Sequence, residues 1–345
     1  MGKISQMESM ERLEEMNLPT VSVIMPTLNS ARTLEECLSS ICTQDYPQNK
    51  IEILIIDGGS TDKTKEISSK YDCKFIEGGY RNNQEPRKAI GLHTAAGEIV
   101  SYIDSDNILP DKNWFKQMVQ PFLDDSEVVG TQNIRYGIKK GFSLFNRYCA
   151  LTGVNDPLSL YLHKNEKLPW ITDKWDLTDT LYDKGDYFVV NFTQDNMPTI
   201  GGNGFFIKRD IQLKSICDPN EFFHIDVVMD VVKMGYTRFA MVRNEIYHDT
   251  ASSLAKLTSR RREYFLTHNP AHSNRRYLLF NSKSNRDRLN LFLFILYTVT
   301  LIQPIIFAIR GYLKKPDSAW FLHPVVCLSF LWAYTGGVFS LHRTQ

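Results

Sequence analysis

The chain has 345 residues, enough for one large domain with additions, and a formal net charge of +1. That balance argues neither for nor against a nucleic-acid partner. The six cysteines, Cys37, Cys42, Cys73, Cys149, Cys217 and Cys327, show no C-x2-C spacing, which argues against a zinc site and for reduced thiols in a cytosolic compartment.

Met1–Leu18 is polar and lacks the apolar core of a signal peptide, so residues 1–19 are expected to form a partly helical lead-in. Val21–Met25 reads as a first strand ending at Pro26, and Leu34, Cys37, Leu38 and Ile41 then repeat at helical spacing. Ile51–Ile56 is a second strand, ending in Asp57-Gly-Gly-Ser-Thr-Asp62, a tight turn able to cap a helix over 63–70. A short strand at 74–76 and a helix from Pro86 to Ala96 precede the apolar strand Ile99–Ile103, which stops at Asp104-Ser-Asp106. Strand thus alternates with helix, and polar residues stand after three strands: Asn29, Asp57, and Asp104 with Asp106. This pattern predicts a mostly parallel, doubly wound sheet with a site along its carboxyl edge. Two carboxylates one residue apart are oxygen ligands suited to Mg2+ or Mn2+ bridging a diphosphate.

A helix over 113–123 and a strand over 127–132 follow. Residues 138–170 are basic and amphipathic, either a helical insertion on the core or a lid at a membrane surface. Residues 173–195 read as an irregular excursion or hairpin. Gly201, Gly202, Asn203 and Gly204 then let backbone approach a ligand before an apolar strand. A helix over 222–235 carries His224 and Asp226 near its start, and a strand over 238–243 leads to His248. Basic and aromatic residues crowd 254–288. That mixture suits nucleic acid or an anionic membrane, and the uncharged run Leu289–Ile309 decides for the membrane. At ~1.5 Å per residue that run would be about 31 Å long as a helix. Phe321–Leu341 is a second such run, which predicts a two-helix transmembrane hairpin. More Lys and Arg precede the hairpin than sit in its loop, which favours a cytoplasmic large domain in a multi-pass protein of the cell membrane. The expected divisions are 1–19, 20–250, 251–288 and 289–341.

The run Val21–Asn29, the Asp57–Asp62 turn, Arg87 and Asp104-Ser-Asp106 together resemble the nucleotide-sugar half of a GT-A, family 2 inverting glycosyltransferase. The resemblance covers about Pro19 to His248. It implies a UDP- or GDP-sugar donor whose nucleoside is lined by Pro26, Thr27 and Asn29 and whose base donates to Asp57. It implies that Arg87 neutralises the diphosphate, that Asp104 contacts ribose or metal, and that Asp106 binds the ion. Gly202 and Asn203 would lie beneath donor and acceptor, and His248 would be a late metal ligand. Where relatives carry Glu-Asp, Phe223 and His224 stand here with Asp226 two residues on, so the general base is His224 or Asp226. The acceptor expected is a hydroxyl of a lipid-linked glycan. The alternatives are polyprenyl phosphate, which needs no base, and a non-catalytic membrane-tethered sugar-nucleotide binder. Pro26-Thr-Leu-Asn29 stands where a nucleotidyltransferase or dehydrogenase would need glycines.

Overall fold

β1 (Val21–Thr27) is buried along its whole length, as befits a strand covered on both faces whose sequence is apolar apart from Ser22 and Thr27. The computed structural model describes residues 17–249, 253–267 and 275–342. Residues 1–16 of the expected lead-in, and 250–252 and 268–274 at and within the basic stretch, lie outside the described residues. The contacts divide the chain into two units. One holds the residues to Asn133 with Leu181–Asn191 and Gly201–Asn244, and the other Ile134–Thr180, Phe192–Ile200 and the residues from Glu245.

In the first unit β1 pairs in parallel with β2 (Ile51–Asp57), in a register that ends both strands together, Thr27 opposite Asp57. β3 (Lys74–Glu77) extends the sheet beyond β2, and β4 (Ile99–Tyr102) lies on the other side of β1, both parallel. The helices α1 (Leu34–Cys42), α2 (Thr64–Ser68) and α3 (Glu85–Thr94) connect these strands. Gly91 lets α3 approach β1 closely, because a Cβ there would stand 2.4 Å from Ile24 Cγ2. The first turn of α3 is thereby held against the sheet.

Beyond β4 the parallel pattern ends. A two-residue β5 (Asn107–Ile108), α4 (Trp114–Asp124) and β6 (Gly130–Tyr136) follow in sequence. The strand lying between β4 and β6 comes from much later in the chain. This is β9 (Phe205–Lys208), which is antiparallel to both neighbours. β8 (Tyr187–Asn191) and β10 (Arg238–His248) also pair antiparallel. The strand order is β3-β2-β1-β4-β9-β6-β10-β8-β7, with β7 at Thr180–Asp183. The expectation of a mostly parallel sheet therefore holds for the first four strands. The rest is mixed because residues 180–191, within the expected 173–195 excursion, fold as a hairpin and the glycine loop feeds an inserted strand. Trp114, Phe115 and Phe206 meet edge to face, with centroids 5.4–6.0 Å apart, and lock α4 onto β9.

The second unit is largely helical. It contains α5 (Leu144–Thr152) and α6 (Pro157–Tyr161) from the basic amphipathic insertion. In the first unit, α7 (Arg209–Gln212) and α8 (His224–Lys233) precede β10. The second unit then adds α9 (Leu254–Thr267), α10 (Asn285–Thr300), α11 (Ile302–Lys314) and α12 (His323–His342). Within this unit Lys164 and Asp287 form a buried ion pair at 2.7 Å, and His323 Nδ1 lies 2.9 Å from the Tyr148 hydroxyl.

Leu289–Ile309 is not the single helix expected. The chain breaks at Leu301, which adopts φ +59°, and α10 and α11 meet at 84°. Pro304 explains the break. It lacks an N–H, and its ring excludes the carbonyl four residues back, which is that of Thr300, the last residue of α10. Among the described residues one continuous helix, Ser318–Val338, is long and apolar enough to cross a membrane, or two spans if the bent pair is counted as one.

Candidate active site

The loops at the carboxyl ends of β1, β2 and β4 are tied to one another. Thr27 Oγ1 donates to Asp57 Oδ1 at 2.9 Å, a direct result of the shared register. Asp57 is buried, and its other acceptor positions are filled by the Ser60 hydroxyl at 2.5 Å, the Ser60 N–H at 2.7 Å and the Gly59 N–H at 2.8 Å. Burial alone would raise the Asp57 pKa, but these donors outweigh it and hold the carboxyl below its ordinary value. A nucleobase that donates to Asp57 must displace one of them. Asn29, left-handed at φ +51°, accepts from the Thr61 N–H at 2.9 Å and donates its own N–H to Ser60 Oγ at 2.8 Å. Ser105 Oγ donates to Ser30 Oγ at 2.8 Å and joins the Asp104–Asp106 turn to the same frame.

Arg87 lies behind this frame in the first turn of α3, only 4% exposed. Its guanidinium occupies the space left by Gly58, where a Cβ would stand 1.7 Å from Nη1. Burial pulls its pKa down against the raising influence of Asp57 and Asp104. Nε and Nη1 are buried with no hydrogen-bond partner among the described residues. A buried cation with unused donors is expensive unless an anion completes it.

Asp104 Oδ1 is likewise buried and accepts no hydrogen bond, and the Lys88 ammonium lies 3.6 Å away. The Asp104 N–H donates to Asn107 Oδ1 at 3.0 Å, and Asn107 Nδ2 donates to Asn203 Oδ1 at 3.3 Å. The Gly204 N–H donates to the Tyr102 carbonyl at 2.8 Å. The glycine loop is thereby fixed beside the aspartate turn, as the β4–β9 pairing requires. Gly201, Asn203 and Gly204 all have positive φ, so the loop has a conformation that ordinary side chains resist. Pro26, the remaining expected nucleoside-pocket residue, is buried within β1.

A Cβ on Gly202 would meet both Lys88 Nζ, at 3.8 Å, and the His224 ring, at 3.7 Å. His224 opens α8 and points its Nδ1 at the buried carboxylate of Glu85, 2.9 Å from each oxygen. Asp226, two residues further, falls on roughly the opposite side of the helix and is buried. Glu85 and Lys88 were not singled out in the sequence. The available signal was the run Glu85-Pro-Arg-Lys88, three charges in the first turn of a helix that continues as Ala89-Ile-Gly-Leu92.

Among the described residues no three His, Cys, Asp or Glu side chains gather into a group that would hold a metal by themselves. Mg2+ and Mn2+ do not require one, since one or two carboxylates with substrate phosphates suffice. Asp104, with its orphaned oxygen, and Asp106 fit that mode. His248 ends β10 in the second unit, where its ring lies 5.2 Å from that of Tyr136.

Residues 22–180 match the profile of the glycosyl transferase family 2. This stretch, somewhat under half of the chain, is similar to a family 2 glycosyltransferase domain. The glycosyltransferase AglE of Haloferax volcanii is 29% identical over 143 residues, which is 40% of this chain and 46% of that protein. The GalNAc(5)-diNAcBac-PP-undecaprenol beta-1,3-glucosyltransferase of Campylobacter jejuni is 35% identical over 98 residues, 27% of this chain and 31% of that one. The chain spans less than half the length of these curated relatives. In three dimensions it is similar to the mannosyltransferase PcManGT of Pyrobaculum calidifontis, solved with GDP-Man and Mn2+, at 17% identity and a TM-score of 0.52 over 94% of this chain and 89% of that one. The fold is accordingly the mixed α/β GT-A fold. The family match begins at β1 and takes in every loop that supplies Asn29, Asp57, Arg87 and the two aspartates.

Proposed function

We propose that the protein is a membrane-bound inverting glycosyltransferase that moves a sugar from a nucleoside diphosphate donor to a hydroxyl of a lipid-linked glycan. The observation that carries this reading is Arg87, a buried guanidinium with unused donors between the Asp57 turn and Asp104. A diphosphate is the anion that would complete it.

The frame of Thr27, Asn29 and Asp57, with Pro26 behind it, receives the nucleoside. Asp104 and Asp106 would hold Mg2+ or Mn2+ together with the donor's phosphate oxygens, and when bound the ion supplies positive charge to the departing diphosphate. His248 as a further ligand rests on the family resemblance alone. Gly202 and Asn203 form the floor beneath the sugar, where a Cβ on Gly202 would come into van der Waals contact with Lys88 and His224. Of the two candidate bases, His224 is favoured, since it faces the glycine loop while Asp226 is buried on roughly the opposite side of the helix. An acceptor that needs deprotonation is a hydroxyl, which favours a glycan over polyprenyl phosphate.

The membrane part rests on the second unit. Phe292, Leu296, Val299, Ile302, Ile306 and Leu313 of α10 and α11 are exposed, as are Phe321, Val325 and Trp332 nearer the carboxyl end. Apolar surface of this extent is costly in water and suits lipid. The named substrates of relatives agree in kind, one being an undecaprenol-linked oligosaccharide. The test is to incubate the full chain with Mn2+, radiolabelled UDP- and GDP-sugars, and lipid extracts of the source cells. Label moving into the organic phase supports the proposal. Donor cleavage with all label remaining as free sugar in water would contradict the lipid-linked acceptor.

A further inference from the structure

Glu85 occupies the first position of α3 and is 4% exposed. Both of its oxygens are turned on one residue. Oε2 accepts the backbone N–H of His224 at 2.8 Å, and Nδ1 of the same residue lies 2.9 Å from Oε1 and from Oε2. A carboxylate can only accept, so the proton between them belongs to Nδ1. In a neutral imidazole that leaves the lone pair on Nε2. The ring is also fixed from its faces. Phe223 stacks on it at 5.0 Å and 21°, and a Cβ on Gly202 would stand 3.7 Å from Cδ2 and from Nε2, so the bare Cα leaves room for about a methyl group on that side.

The charges around Glu85 keep it ionised. Burial would raise its pKa, but His224 and Lys88 outweigh burial and hold it down to about 2. The buried Tyr102 hydroxyl also feels its charge. Lys88, one turn along α3, in turn lies 3.6 Å from Asp104. The first turn of α3 therefore reaches both the aspartates and His224.

We propose that Glu85 is a positioning residue for transfer: it locks His224 in the Nδ1–H form, directs Nε2 at the acceptor, and stabilises the imidazolium that results. The proposal rests on the transferase reading and deepens it. In the step, the acceptor O–H bond breaks and its proton passes to Nε2. The oxygen's electron pair forms the bond to the anomeric carbon. The bond from that carbon to the diphosphate oxygen breaks, and its pair leaves with the diphosphate. The arrangement parallels other bases that are oriented by a buried carboxylate through the distal ring nitrogen.

A merely structural Glu85 would cap α8 through the His224 N–H and do nothing more. Glu85→Gln separates the two roles. Its amide oxygen still caps the helix, but its NH2 now faces Nδ1, which must accept, so the proton moves to Nε2 and the base is lost. Tautomers are read by long-range 1H–15N spectra of the full chain labelled at histidine, with His224→Asn identifying the signal by its disappearance. We expect protonated Nδ1 in the wild type and protonated Nε2 in Glu85→Gln. Turnover, measured with whichever UDP- or GDP-sugar is cleaved fastest, should show kcat falling at least tenfold in Glu85→Gln with donor KM within twofold. A wild-type His224 protonated on Nε2 overturns the proposal, whether or not the variant folds. So does a Glu85→Gln enzyme with unchanged kcat. Failure of the transferase reading looks different, because the wild type itself would cleave no donor.

Discussion

Arg87 and Gly58 are interdependent at the level of single side chains. The guanidinium fills the space that a methyl on Gly58 would take. Gly58→Ala must therefore displace a buried cation, at about 1–3 kcal/mol of stability by analogy with other overpacked sites. It should weaken UDP or GDP binding about as much as Arg87→Ala, at least tenfold. Calorimetric titration of both variants checks this, and wild-type affinity in Gly58→Ala would remove Arg87 from the donor site. Glu85 makes a second prediction, on pH. Its carboxyl titrates at about 2 in the folded chain against an ordinary 4.5, so its contribution is complete above pH 4.5 and is lost as pH falls towards 2. The linked stability is at most about 3 kcal/mol. Urea midpoints taken from pH 6 to pH 3 should fall less steeply in Glu85→Gln than in the wild type. Equal slopes would mean that Glu85 is not ionised against His224 and Lys88.

At the level of elements, the start of α10 is anchored by charge. Lys164 donates to Asp287 at 2.7 Å and to the carbonyls of Leu278 and Leu279 at 3.3 and 3.0 Å, and Asp287 also accepts from the Asn281 N–H at 2.8 Å. Lys164→Met strands a buried carboxylate and should cost about 3–5 kcal/mol, whereas Lys164→Met with Asp287→Leu should recover most of it. Thermal midpoints in detergent compare the two, and a cost below about 1 kcal/mol for the single variant would show the pair to be solvated. The elements themselves were largely legible in the sequence. β1, β2, β4 and the helices after them follow from apolar runs and turn residues, and the glycines at 201–204 announced a close approach. The insertion of β9 between β4 and β6 was not legible, since strand order depends on long-range pairing that no local pattern records. Nor was the Glu85–His224 pair, whose members are separated by most of the domain. The bend at Leu301 had its signal in Pro304, whose effect on the helix the apolar run concealed.

For the whole molecule, two properties are expected to coexist: a site for a sugar nucleotide in the first unit, and an apolar surface on the helices of the second. The exposed side chains of α10 to α12 predict that the full chain stays with membranes after washing in about 1 M salt, which screens charge–charge attraction but not apolar burial. The basic stretch over 254–288 would by itself release under that wash. Part of its charge is already engaged, since Arg261 lies 3.3 Å from the buried Asp156. Fractionation of cell lysates with and without salt distinguishes the two modes, and release into the soluble fraction would leave only an electrostatic association. The central claim is that this chain breaks the sugar–diphosphate bond at a site built on Arg87, Asp104 and Asp106. The measurement that tests it most directly is release of UDP or GDP from a panel of their sugar conjugates by the purified full chain, with and without Mn2+. The expected result is ion-dependent release from at least one donor, lost in Asp106→Ala, a half-buried loop substitution that opens no core cavity. Release from no donor, or release that Asp106→Ala leaves near the wild-type rate, would contradict it.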